Sequence, residues 1–509
     1  MSPHKETEDG SKAVDLSHHL NSKSNARHPS PLKDIIKFMS IEGMVSLAGG
    51  LPHPSLFPIH KAIITASNPL NDGTSELDLS NDKNEISLAD FLQYGTGSGN
   101  PKLRKWCHEF TELVHLPLYD NFEILLHPGN TNAWSKVVGL LCEDGDHILC
   151  ESYTYPSSQA YWIPLGNIAA PVAVDEQGIR DDALQQVLKN WDFDHPGIDR
   201  PHVLYLVSVG SNPTGATMGP ERRQRIYDIC VQYDIIIVED DPYFFLQYPE
   251  YSIETTAKST VTPNAEFLSS LAPSFLRYDY QGRVIRLESF SKTISPGLRL
   301  GYFVANPMFT ERLLRATEVE TQDPSGLSQV VTLGLLQQWG LDGYLLWLQN
   351  LRIEYQNRRD WIIKAIAQHF TLKPAAQVTE VLTDEGLVAL IGSVPIFSFV
   401  PPTGGMFIWA CFYLGNNPMF QKMQSDSTIE DPEQCFAQQL WESLAEELVL
   451  LTPGSYYHPW QGKDKVTTKA RGASPETANF RLSFSMTTKE DMEVGIARLA
   501  SVVKSSWKL

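Results

Sequence analysis

Ser289-Phe290-Ser291-Lys292-Thr293-Ile294-Ser295-Pro296-Gly297-Leu298-Arg299-Leu300-Gly301 lies between two short apolar runs, Val284 to Leu287 and Leu300 to Ala305. Runs of this length and character read as buried strands, which puts Lys292 in a polar loop at a strand end. That is an odd place for a merely solubilising lysine. Hydroxyl side chains surround it (Ser289, Ser291, Thr293, Ser295), Arg299 stands seven positions on, and Gly297 and Gly301 let backbone come close. Together they describe a pocket for an anion with a primary amine beside it.

An amine and a phosphate site in one loop point to pyridoxal 5′-phosphate. Only a primary amine forms a Schiff base with an aldehyde, and a lysine of ordinary pKa about 10.4 must be held neutral to do so, by burial and by nearby positive charge. Lys292 with Arg299 fits that requirement. An isolated Ser-x-Ser-Lys match is more often an ordinary surface loop, and the stretches around it are what change the odds.

Outward from this loop, Glu123 to Asn306 alternates apolar strand and helix. Strands are predicted at Ile124 to His127, His147 to Cys150, Val203 to Ser208, Ile235 to Glu239, Val284 to Leu287 and Leu300 to Ala305, with helices at Asn132 to Leu141 and Glu221 to Tyr233. The pattern predicts an α/β fold, a mostly parallel central sheet with helices on both faces, whose ligands bind at the carboxyl ends of the strands. Four further stretches fall there. Pro128-Gly129-Asn130-Thr131-Asn132 opens a helix, where free N–H groups favour a phosphate. Glu151 to Pro156 offers Tyr155 to stack on a planar ring, and Ser211-Asn212-Pro213-Thr214-Gly215 offers a neutral donor in Asn212. Ile237-Val238-Glu239-Asp240-Asp241-Pro242-Tyr243 places a carboxylate deep in the site.

Catalysis with this cofactor needs its pyridine nitrogen protonated, and an ionised Asp beside it keeps the proton there. Glu239, Asp240 and Asp241 are not read as a metal cluster, because adjacent strand positions face opposite ways and no His stands with them. On the same ground Asp241 is expected to tolerate substitution far better than Asp240.

At 509 residues the chain exceeds what one core usually holds. Four parts are expected: a polar tail (1–28), an N-terminal segment (29–90) that joins a smaller α+β domain and the substrate pocket, a large cofactor domain (91–340), and the rest of the small domain (341–509). The segment Pro29-Ser30-Pro31-Leu32-Lys33 opens a predicted helix through Phe38, residues 69–88 are expected as a surface loop, and a helix is expected from Pro101 to about Val114. Pro249 to Gly282 reads as an irregular insertion, and a long helix runs through Tyr344 to His369. The net charge of −19 argues against nucleic acid or an anionic membrane as partner. Six cysteines without a Cys-x-x-Cys pair, and no apolar stretch of about 18 residues, lead us to expect a soluble cytoplasmic protein. Trp507-Lys508-Leu509 only half resembles a peroxisomal tripeptide.

The ordered set Asn212-Pro213-Thr214-Gly215, Asp240-Asp241-Pro242-Tyr243, Ser289-Phe290-Ser291-Lys292 and Arg299, ending in Asn479-Phe480-Arg481-Leu482-Ser483-Phe484, resembles the fold-type I aminotransferases. It is similar in particular to the group of fungal aromatic amino-acid, kynurenine and 2-aminoadipate aminotransferases, from about Pro29 to Leu499. The resemblance implies Lys292 as the Schiff-base residue, Asp240 on the pyridine nitrogen, Asn212 and Tyr243 on the phenolic oxygen, and Tyr155 stacked on the ring. Asn130, Thr131, Ser289, Ser291 and Arg299 would hold the phosphate, and Tyr94 that of the neighbouring subunit, since such enzymes are homodimers. Arg481 would clamp the substrate carboxylate, with Gly49, Gly50, Asn212 and the turn Gly404-Gly405-Met406 beside the substrate. Two positions depart from relatives: Gly129-Asn130-Thr131-Asn132 stands where Ser and Gln are often found, and Lys33 where a kynurenine-specialised relative carries Arg.

The expected activity is transamination of an aromatic amino acid with a 2-oxo acid such as 2-oxoglutarate, with 2-aminoadipate or kynurenine as alternative donors and a lyase or decarboxylase as the rival chemistry. A transcription regulator built on this domain would need a DNA-binding module, and a tail of roughly 30 residues is too short for a helix-turn-helix. Lys33 is a candidate second cation for acidic substrates, on a segment ending in the Gly49-Gly50 pair.

Overall fold

The computed structural model describes residues 12–29, 38, 41–45, 47–48, 50–71, 73–80, 86–253, 259–379 and 381–509. The predicted helix from Pro31, apart from Phe38, lies outside the described residues, as do Lys33 and Gly49.

A seven-stranded sheet runs in the order Glu123–His127, Gly301–Ala305, Val284–Ser289, Ile236–Asp240, Val203–Leu206, His147–Glu151 and Ile168–Val172. Gly301–Ala305 is antiparallel to both neighbours, and the other pairs are parallel. The connection from Ser289 to Gly301 holds only a 3-10 turn, Pro296–Leu298, and without a crossover helix the chain returns beside the strand it left. That return is the loop carrying Lys292. Along each strand successive residues enter different apolar cores: Ile236, Val238, Ile285 and Leu287 pack on one face, Ile237 and Val284 on the other. Burial on both faces is why these strands read as largely apolar runs rather than as alternating ones.

The six expected strands are present with ends shifted by one or two residues. The seventh, Ile168–Val172, escaped prediction because Pro171 argues against a central strand, and it lies at the sheet edge where a missing N–H costs little. Residues 69–88, expected as a surface loop, instead contribute one arm of an antiparallel hairpin, Lys61–Asn68 with Gly73–Ser80. The period-2 signal is Leu77 and Leu79 alternating with Glu76, Asp78 and Ser80. Both leucines enter the core of the large sheet rather than that of the C-terminal sheet, so this part of the segment expected with the small domain packs elsewhere.

The second sheet has six antiparallel strands in the order Thr371–Pro374, Leu387–Ile391, Val394–Phe399, Phe407–Tyr413, Thr477–Ser483 and Thr452–Pro453. Its core is shared with helices Pro432–Glu446 and Lys489–Trp507, and Trp507 is buried edge-on against Phe436. Helix Gly326–His369, longer than predicted and kinked at Gly340 (φ 65°), joins the two sheets: Val330, Leu333 and Leu336 pack in the first core, Ile362, Ile363 and Ile366 in the second.

The polar tail is docked over its described part. Leu16 is buried, and Asn21 donates from Nδ2 to the carbonyls of Gly139 (3.1 Å) and Cys142 (2.7 Å), satisfying the carboxyl end of helix Asn130–Leu141. Among the described residues no helix is long and apolar enough to cross a membrane, and all six cysteines are free.

Candidate active site

A cavity of about 410 Å³ opens where strands Val203–Leu206, Ile236–Asp240 and Val284–Ser289 end, with Phe407 and Arg481 of the second sheet on its wall. Asn130, Thr131, Tyr155, Asn212, Asp240, Tyr243, Ser289, Ser291, Lys292, Arg299 and Arg481, all singled out from the sequence, line it. Gly50 and Tyr94 are exposed and lie off the cavity, and Tyr94 is 61% accessible.

Asp240 shares its face of the strand with Ile236 and Val238, and there it meets the start of helix Asn130–Leu141. Asn130 Nδ2 donates to Asp240 Oδ1 at 2.7 Å and to the Leu287 carbonyl at 2.9 Å, and the Tyr205 hydroxyl donates to Asp240 Oδ2 at 2.7 Å. Burial pushes the Asp240 carboxyl up, opposed by these two hydrogen bonds and by Arg286. Asn130, expected to hold a phosphate, thus has its side-chain amide turned to Asp240. Tyr205 was missed, although a tyrosine inside the buried run Val-Leu-Tyr-Leu signals a hydroxyl that must find a partner.

Glu239 and Asp241 face the other way, as the strand period requires, into a buried charge cluster. Glu239 pairs with Arg223 (3.1 Å) and Arg286 (2.8 Å), while Asp241 meets Arg286 at 3.3 Å and accepts from Ser208 Oγ and the Val209 N–H, both at 2.9 Å. Burial raises Asp241, whereas Arg286 and Arg223 hold Glu239 low against the effect of burial. The expectation that Asp241 is a tolerant position is corrected here: it faces away from the cavity but into ionic contacts without solvent.

The Lys292 loop is braced from behind. Thr293 accepts from Trp347 Nε1 at its carbonyl (2.7 Å) and meets the Tyr344 hydroxyl at 3.1 Å, both from the long helix. Burial, then the nearby Arg299 charge, lowers the Lys292 amine below its usual range. Arg299, at φ 49°, donates to the Pro296 carbonyl at 3.2 Å, and its guanidinium lies over Gly129 (φ 98°), where a Cβ would meet Nη2 at 2.1 Å. Gly129 begins helix Asn130–Leu141 with no side-chain cap among the described residues, so an arginine, the hydroxyls of Ser289 and Ser291 and a bare helix start border one cavity.

Arg481, on strand Thr477–Ser483, donates from Nη1 to Asn212 Oδ1 at 2.7 Å and lies over the rings of Phe407 (4.2 Å) and Tyr457 (5.2 Å). Its Nε is buried and has no hydrogen-bond partner among the described residues. The loop bearing Asn212 is set by backbone. A Cβ at Gly210 (φ 54°) would meet Gly405 N at 2.3 Å, and the Tyr248 hydroxyl donates to the Gly405 carbonyl. Gly404 and Gly405 therefore support the Asn212 loop, and the next residue but one, Phe407, is the one that reaches the cavity. Behind the same loop the buried Glu151 accepts from Ser211 Oγ at 3.0 and 3.1 Å, and burial pushes its carboxyl up to about 8.

The pattern that defines the class I and II aminotransferases matches residues 76–499. The chain is 36% identical to an aromatic amino acid aminotransferase of Schizosaccharomyces pombe over 97% of this chain and 98% of that one. It is 35% identical to an L-tyrosine:2-oxoglutarate aminotransferase of Tapinella panuoides over 82% of this chain and 78% of that one. The crystal structure of the aminotransferase Aro8 from Candida albicans superposes with a TM-score of 0.85 at 32% identity, covering 98% of this chain and 100% of that one.

Proposed function

The chain belongs to the class I and II aminotransferases, pyridoxal 5′-phosphate enzymes, and from that premise we propose that it transaminates aromatic L-amino acids with 2-oxoglutarate as acceptor. The observation that carries the reading is the meeting of Lys292, Asp240 and Arg481 in one cavity. Aromatic donors are favoured by the rings of Phe407, Tyr243 and Tyr155 along its wall and by the named activities of the relatives.

The residues fit the cofactor. Gly129 leaves open the space a Cβ would fill under Arg299, and that guanidinium, Ser289, Ser291, Thr131 and the uncapped helix start suit a phosphate. Asp240, buried with neutral donors on both oxygens, suits a protonated ring nitrogen, with Tyr205 and Asn130 keeping its lone pairs oriented. Tyr155 would lie on the ring, and Tyr243 and Asn212 would serve its phenolic oxygen. When bound, the group supplies an electron sink for the pair left on the substrate α carbon.

Arg481 receives the substrate α-carboxylate by a two-pronged contact, its fork already oriented by Asn212 and its face shielded from water by Phe407 and Tyr457. Lys292 Nζ, biased toward the neutral amine by burial and Arg299, takes the proton from the substrate α carbon and returns it on the other side of the reaction.

We read the enzyme as a cytoplasmic homodimer. Its free cysteines support the compartment, and Val45 and Leu47, 83% and 96% accessible, support a partner copy that covers them and receives Tyr94. Gly49 and Gly50 would then border the substrate. Incubating the protein with phenylalanine and 2-oxoglutarate tests the reading: glutamate and phenylpyruvate form in equal amounts, and Lys292→Ala abolishes both. Carbon dioxide or ammonia released without 2-oxoglutarate would favour the lyase or decarboxylase instead.

A further inference from the structure

Far from this cavity, at the opposite end of the strand that carries Asp240, the docked tail brings two histidines to a carboxylate. His18 Nε2 stands 2.6 Å from Asp234 Oδ2, and His19 Nε2 stands 3.0 Å from Asp234 Oδ1. The three ligand atoms lie within 4.8 Å of one another, the one such group of three His, Cys, Asp or Glu side chains among the described residues. His19 is buried, while His18 and Asp234 are half exposed. Asp234 sits at φ 56° in the turn between helix Pro220–Gln232 and strand Ile236–Asp240.

A second observation concerns what lies behind His19. Its Nδ1 faces His202 Nδ1 at 3.1 Å, and His202 Nε2 faces Asp146 Oδ2 at 3.7 Å. The His19–His202 contact needs one hydrogen, which either ring can supply. If His202 supplies it, His19 keeps its own hydrogen for Asp234; if His19 supplies it, a bare His19 Nε2 is left facing Asp234. The second arrangement becomes complete when a cation lies between His19 Nε2 and Asp234. It is also the pattern of a metal-bound histidine whose other nitrogen donates to an outer partner that fixes its tautomer.

We propose that His18 Nε2, His19 Nε2 and the Asp234 carboxylate bind a divalent transition metal of the zinc type, with His202 and Asp146 as its outer support. Two imidazoles and one carboxylate suit zinc and leave a tetrahedral position to water on the open side. A small rotation of the half-exposed His18 closes the set. The Arg283 guanidinium, 3.5 Å from Asp234 Oδ1, is the opposing charge, and it is also engaged by the Ile235 carbonyl at 2.8 Å and by Gln281. The ion pins residues 12–29 to the body of the enzyme and leaves the catalytic cavity unchanged.

Tag-free holoenzyme, stripped with EDTA and titrated with zinc chloride in a calorimeter, tests this. One equivalent binds in the micromolar range or tighter. His18→Ala, at an exposed position that does not threaten folding, abolishes that binding, and His202→Ala weakens it about 10- to 100-fold. In parallel, zinc slows tryptic cleavage after Lys23 and Arg27 in the parent protein but not in His18→Ala, and kcat is the same for both. Zinc binding that is absent from the parent protein, or equal in His18→Ala, overturns the proposal and leaves His18 and His19 as a hydrogen-bonded anchor only. Equal affinity in His202→Ala overturns the supporting role of His202.

Discussion

Tyr205→Phe removes one oxygen from the site and nothing else of its shape. The hydroxyl lost is one of two neutral donors to Asp240, at 2.7 Å, and the carboxylate it serves is 8% accessible, so water does not readily replace it. A hydrogen bond to a charged group contributes about 1.5–3 kcal/mol, which at about 1.4 kcal/mol per tenfold is a factor of roughly 10 to 150. Because the bond favours the ionised carboxylate, its loss lets burial raise the Asp240 carboxyl further and weakens its hold on a protonated ring nitrogen. Pyridoxal 5′-phosphate affinity, measured by calorimetric titration of the apo-protein, should fall by that factor, while kcat at saturating cofactor falls less. The control is the same substitution in an Asp240→Asn background, where the charge-dependent part has vanished and at most a few-fold effect should remain. An equal loss of affinity in both backgrounds would refute the reasoning and show that the hydroxyl acts otherwise than through the charge on Asp240.

Asp241→Ala should lower stability by about 1–3 kcal/mol, because the buried Val209 N–H loses its acceptor while Arg286 keeps Glu239 and Glu288, read as an earlier urea midpoint, with kcat little changed; a loss of turnover at full stability would contradict it. Glu151 titrates at about 8 in the fold against an ordinary value near 4.5, so the stability it contributes is complete below about pH 4.5 and is lost as pH rises through 8. Glu151→Gln should therefore gain Tm relative to the parent between pH 5 and 8, and a constant difference in Tm would dispose of this reading. Arg481→Lys keeps the charge but loses the fork held by Asn212, so KM for the amino donor should rise about tenfold or more; steady-state kinetics with phenylalanine checks it, an unchanged KM being the contrary result.

What could be read beforehand was whatever two-faced burial imprints on a strand. Val284 to Leu287 and Ile235 to Glu239 were legible because their apolar residues enter one core or the other, and the site residues at their ends followed from the topology of such sheets. The opposite facing of Glu239 and Asp240 was also legible, being fixed by the strand period alone. Its consequence for Asp241 was not, since Arg223 comes from the preceding helix and Arg286 from a neighbouring strand, and nothing in the local pattern directs either toward it. Leu77 and Leu79 were obscured by polar neighbours, although their alternation was the signal. His18 and His19 drew no attention as ligands because Asp234 lies 215 positions beyond His19.

Where Gly210 meets Gly405, the two sheets touch through main chain alone. Side chains can change rotamer, swell or shrink, but backbone in van der Waals contact has no such slack, so the spacing between the Asn212 loop and the Phe407 strand behaves as a fixed gauge. A designer who wishes to retune this enzyme for other donors therefore inherits an asymmetry of permission. The wall can be recarved at Phe407 or Val207, which both line the cavity, one side chain at a time, whereas adding even a methyl group at either glycine shifts the Asn212 loop against the strand pair that carries Phe407 and Arg481. New specificity in this architecture has to be introduced on surfaces that leave this gauge untouched.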